Sequence, residues 1–105
     1  MDDQTRTTLE AAAWRSFIAH LQNRPDVQNI DLMNLAGFCR NCLYKWLLEA
    51  ARQNDVELSK DDAIQAVYAM TIAEWKATHQ TRASDAQLQL FEDTRPLHSP
   101  ISGHN

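Results

Sequence analysis

The sequence predicts an all-α fold, a small single-domain helical bundle of about five to six helices, and three observations carry that expectation. First, a Ser or Thr is followed three residues later by an acid or an amide at Thr7 with Glu10, Ser59 with Asp62, Thr71 with Glu74 and Ser84 with Gln87. In that arrangement the two side chains can satisfy free backbone N–H groups at a helix start. Second, apolar residues recur at spacings of three and four, as one helical face requires. Third, the chain has only two glycines and three prolines, and Pro96 and Pro100 fall near its end, so the body lacks the turn-formers that many short strands need. A chain of 105 residues that is 44% hydrophobic suits one packed core.

The elements follow in order. Trp14, Phe17, Ile18 and Leu21 place a first helix from near Thr7 to Asn23, ended by Pro25. The polar turn PDVQN leads to Asn29 or Asp31 as the cap of a short segment, Leu32 to Ala36. Gly37 is expected to break the chain there, because glycine often terminates helices and costs about 1 kcal/mol inside one. A helix over Arg40 to Gln53 comes next, then the turn NDVELS. Ile64, Val67 and Tyr68 mark a helix from Lys60 to Met70, and Thr71 restarts the chain through His79 with Ile72 and Trp75 aligned. Leu88 and Phe91 mark a last helix over Asp85 to Asp93. Residues 1–94 thus form the helical domain, and the aperiodic residues 95–105 are expected to be a disordered tail.

Charge and composition exclude several functions. A formal charge of −4 opposes non-specific binding to nucleic acid. No apolar run approaches the ~20 residues of a membrane span, and the polar start MDDQTRTTLE is unlike a signal peptide, so a cytoplasmic protein is expected. The chain has no glycine-rich phosphate loop, HExxH or GxSxG, so the sequence leans against catalysis. Asp61 and Asp62 sit in a predicted first helical turn, where carboxylates favour the positive end of the helix.

Chemistry is concentrated in GFCRNCLYKW, Gly37 to Trp46. On a helix, Cys39 and Cys42 share one face and could act as a redox pair or hold a metal, with Arg40 and the helix start lowering the thiol pKa. Against that, the same face carries Leu43, Trp46 and Ala50, so the thiols are expected to be reduced core residues. A zinc site would need two further ligands; His79 or His20 could come only from distant parts of the chain, and His98 and His104 lie in the tail. No cofactor is therefore predicted, and zinc ranks well behind an empty site. Trp14, Trp46 and Trp75, one on each of three helices, are expected in the core. Tyr44, Leu48 and Ala51 form a second apolar strip on the same helix as the cysteines, which suggests an interface.

The run DVQNIDLMNLAGFCRNCLYKW, Asp26 to Trp46, supported by AVYAMTIAEWKATHQ, Ala66 to Gln80, resembles a family of short bacterial proteins, domain of unknown function twelve forty-four. The resemblance implies a small helical bundle and assigns no catalytic role to any residue. The family's pattern often has Gly and Pro where this chain has Ala69 and Thr71, which implies a softer break between those two helices here. The sequence therefore reads as a cytoplasmic, non-catalytic interaction or regulatory module that self-associates, a homodimer being favoured, with a protein partner as a further option. The alternative is a thiol-dependent metal-binding or redox protein using Cys39 and Cys42.

Overall fold

In the computed structural model, which describes all 105 residues, four of the six helices start at a side-chain cap, whereas the two that follow Gln28 and Cys39 have none, so neither Asn29 nor Asp31 serves as the expected cap. The first helix, α1 (Asp3–Gln22), begins at Asp2, whose carboxylate accepts the Thr5 N–H at 2.7 Å. Thr7 and Glu10 are therefore interior, because nothing in QTRTT stops the helix from extending back to the better cap. The other three expected caps are observed. Ser59 accepts the Asp62 N–H and starts α4 (Lys60–Tyr68), and Thr71 accepts the Glu74 N–H and starts α5 (Ile72–Thr78). Ser84 and Gln87 form a reciprocal capping box at α6 (Asp85–Thr94).

Between α1 and α4 lie α2 (Asn29–Ala36) and α3 (Arg40–Gln53), separated at Gly37, which adopts φ +76°. The expected break is real. The break after α4 is equally complete, contrary to the softer one expected: Ala69 closes the helix at φ +58°, a left-handed conformation that costs an alanine roughly 1–2 kcal/mol. There are no strands, and none of the helices is long and apolar enough to cross a membrane.

Residues 95–105 are not a disordered tail. They form two 3-10 turns, Arg95–Leu97 and Pro100–Ser102, and fold back as a hook onto α3, burying His98 and Ser102. Short 3-10 turns held by side chains from elsewhere have no helical period, so the aperiodic residues 95–105 carry no local signal of their order.

Two cores lie on either side of α3. The larger packs α1, α3, α4 and α5 through Ile18, Leu21, Leu43, Tyr44, Ala63, Ile64, Val67, Tyr68 and Trp75. The smaller consists of Met33, Cys39 and Cys42, with Phe38, Phe91 and Ile101 against it. This arrangement corrects the expected division of α3. Tyr44 is buried and Leu48 packs against the larger core with Ala51 half-buried, so the strip proposed as an interface is the side that faces α4. Trp46, expected in the core, is 41% exposed, and Ala50 is exposed too. Of the three tryptophans only Trp75 is fully buried, and Trp14 is half-buried. Both faces of α3 are apolar enough to be core, and packing against α4 selects between them.

Candidate functional site

The most built feature outside the larger core is a cleft of about 260 Å³ between α2, α3, α6 and the hook. Gly37 makes it possible. A Cβ there would lie 2.5 Å from the Leu97 carbonyl oxygen, so only glycine lets the hook approach the α2–α3 corner. The Ser99 N–H then donates to the Gly37 carbonyl at 2.7 Å, fixing the hook across the start of α3. Ile30, Met33, Leu88 and Phe91 form the apolar wall, and the polar lining is Asn29, Asn41, Lys45, Ser102 and His104, with both cysteines beside them.

Cys39 is the extended residue before α3 and Cys42 lies in its first turn, both as free thiols. They are 6% and 1% exposed, which decides their chemistry. Burial pushes the Cys39 thiol up from its ordinary value and Cys42 beside it adds to the rise, while the backbone N–H groups of Asn41 and Cys42 oppose it. Cys42 Sγ lies 3.3 Å from Ser99 Oγ on the hook. The expected lowering by Arg40 does not prevail over burial, because that side chain has its donors committed elsewhere. It is 2% exposed, donates to the carbonyls of Val27 (2.7 Å) and Arg24 (2.8 Å) and to Asn29 Oδ1 (3.1 Å), and lies 4.8 Å over the Trp75 ring. With no carboxylate partner, burial draws its pKa down.

A chain of hydrogen bonds carries polarity from Arg40 into the cleft. Asn29 Oδ1 accepts from Arg40, so its amide nitrogen donates to the Tyr68 hydroxyl at 3.1 Å. The Tyr68 proton then goes to Asn41 Oδ1 at 2.6 Å. Burial holds the Tyr68 pKa well above its ordinary value, so the hydroxyl stays a donor. Asn41 is left with its NH₂ group as the unengaged end. One turn along the same face, Lys45 Nζ donates to the Ser102 carbonyl at 3.2 Å and belongs to none of the molecule's ion pairs.

The hook is closed by two imidazoles. The Thr94 hydroxyl donates to the Leu90 carbonyl, so its oxygen accepts from His98 Nε2–H at 3.1 Å. Neutral His98 then has a bare Nδ1, which accepts from His104 Nδ1–H at 3.0 Å and leaves His104 Nε2 as an acceptor. Both rings pack on Phe91, and Arg95 donates to the His104 carbonyl. Burial lowers the pKa of both histidines, helped by Arg95 at His98 and by His98, Arg95 and Lys45 at His104.

Of the residues singled out from the sequence as possible ligands, the structure brings together Cys39 with Cys42 and, separately, His98 with His104, whose ring lines the same cleft. His79 packs on Trp75 beside Arg40, His20 is exposed, and no His, Asp or Glu completes a set of three metal-binding side chains with the thiols. Sequence reasoning missed Asn41, Lys45, Met33 and the hook as partners of the cysteines. It also missed buried Gln28, which donates to the His79 carbonyl and accepts the Thr81 N–H to brace the α5–α6 link. Only the spacing of Asn41 and Lys45, one turn apart and next to both cysteines, could have been noticed from the chain alone.

The sequence matches the family described as "Protein of unknown function (DUF1244)" over residues 27–93, more than half of the chain. The helices that wall the cleft lie in that span except for Thr94, the last residue of α6, and the hook follows it. No curated protein matches the chain.

Proposed function

The chain belongs to that DUF1244 family, a kinship that carries no chemistry with it, and from this premise we propose a non-catalytic binding module whose working surface is the cleft between α2, α3, α6 and the hook. The observation that carries the reading is the lining itself: an apolar wall interrupted by a few fixed polar groups, the usual make-up of a small-ligand site. The raised Cys39 pKa supports binding over catalysis, because a protonated buried thiol is a poor nucleophile. A bacterial cytoplasm suits the reading, since it keeps such a thiol pair reduced. Self-association through Tyr44, Leu48 and Ala51 is not part of it, because α4 covers that side of α3.

The test is a solution titration of small apolar acids, amides and alcohols against protein carrying labelled Met and Phe. Saturable shifts at Met33 and Phe91 are expected, and Leu88→Trp, at the half-exposed rim, should abolish them by filling the cleft. No saturable shift with any compound at millimolar concentration overturns the reading.

A second reading, thiol-dependent metal binding, is favoured by one observation: Met33 joins Cys39 and Cys42 in a single buried cluster. Three sulfur donors suit a soft monovalent ion such as Cu(I) better than zinc. Competition titration with a Cu(I) chelator tests it. Tight one-to-one binding that weakens in Met33→Leu and vanishes in the double Cys→Ser variant would support this reading, and Cu(I) affinity unchanged by Met33→Leu would count against it.

A further inference from the structure

We infer that the cleft receives a small monocarboxylic acid with a short hydrocarbon body, bound by its head to Lys45 and Asn41. The inference rests on the cleft reading above and adds the chemistry of the ligand. Lys45 is the only formally charged side chain in the lining, and no acid stands there, although acids outnumber bases in the molecule and its formal charge is −4. The molecule's three ion pairs occupy Arg24, Arg52 and Arg95, whereas half-buried Lys45 has one carbonyl partner and donors to spare. An ammonium beside an apolar wall with no counter-ion is a receptor for an anion.

Asn41 agrees with it in sign. The relay from Arg40 through Asn29 and Tyr68 occupies the Asn41 oxygen, so what this residue offers is a donor. Asn41 and Lys45 are four residues apart on α3 and so present two donors side by side. The other polar groups are engaged. Asn29 is tied at both ends, its oxygen to Arg40 and its nitrogen to the Tyr68 hydroxyl, and the Ser102 hydroxyl donates to the Ser99 carbonyl and accepts the His104 N–H. His104 Nε2, the one bare acceptor, belongs to the hook and not to the α3 face that carries the donors. Two adjacent donors match the two oxygens of a carboxylate, and Met33, Ile30 and Phe91 match a hydrocarbon body. The volume, about 260 Å³, lies just under the range of drug-sized pockets, so the acid is metabolite-sized.

The experiment titrates hexanoate, hexanamide and hexanol in parallel into the full chain, reading the Asn41 side-chain amide and Phe91 ring resonances. Hexanoate should bind at least about tenfold more tightly than either neutral compound, as expected for a charge-assisted pair. Lys45→Met should bring hexanoate down to the level of hexanol, and Lys45→Arg should retain most of the preference, with unfolding midpoints confirming that both variants fold. Equal binding of all three compounds, or hexanoate binding unchanged in Lys45→Met, overturns the carboxylate inference while the cleft reading stands. Absence of saturable shifts with all three removes both.

Discussion

The two cores that meet at α3 are closed in different ways. On the α4 side, nine buried side chains from four helices interlock, and Tyr68 and Trp75 meet edge to face with centroids 5.7 Å apart. On the α2 side only Met33, Cys39 and Cys42 are fully covered, and the cover is a hook held by hydrogen bonds to Gly37, Lys45 and Cys42 and by the His98–His104 pair. This side even leaves the Asn34 side-chain oxygen buried without a partner. An interlocked apolar core is lost only on global unfolding, whereas a region closed by a few polar contacts can open on its own. The smaller core is therefore the part of the molecule expected to open first, which is what the proposed cleft requires.

The largest effect should come from truncating each core in turn. Leu43→Ala should cost about 4 kcal/mol in denaturant unfolding, and Met33→Ala only about 2, because its site already borders open space. Equal losses would remove the distinction. Leu48→Glu should cost about 3 kcal/mol and broaden the spectrum of the larger core, since the new carboxylate would sit against it. A well-folded variant that changes only its sedimentation would restore the strip as an interface.

The two left-handed positions sharpen the comparison further. Gly37→Ala should cost about 2 kcal/mol, by backbone strain and by the clash with Leu97, and should make residues 95–105 sensitive to proteolysis while helix content stays. Ala69→Gly should do the reverse, raising global stability by about 1 kcal/mol without touching the hook.

The smallest effect should be local and driven by acid. Because folding lowers both histidine pKa values, the hook's contribution is complete above the ordinary imidazole value, about 6.5, and is lost as the pH falls through the lower folded values. Protonating both rings also removes the Nδ1 acceptor that joins them, next to the positive charges of Arg95 and Lys45 and only partly offset by Glu92. The protection of the Ser99 amide, relative to the exchange of a free amide at the same pH, should therefore fall as the pH drops through the folded values before the amides of α3 and α4 respond; simultaneous loss would mean that the cores are not independent.

Most of the helices could be read from the chain because their ends are decided within one turn: Ser59, Thr71 and Ser84 each cap a backbone N–H three residues away, and Gly37 closes α2 by its own conformation. The pairing of Cys39 with Cys42 was equally local. What the tertiary structure decided is which side of α3 faces α4, that Arg40 is buried under Trp75, and that residues 95–105 cover the cysteines. Contacts such as Cys42 with Ser99 and Lys45 with Ser102 join positions 57 residues apart. Local propensity cannot encode such a contact, because it stabilises neither segment until both are already in place.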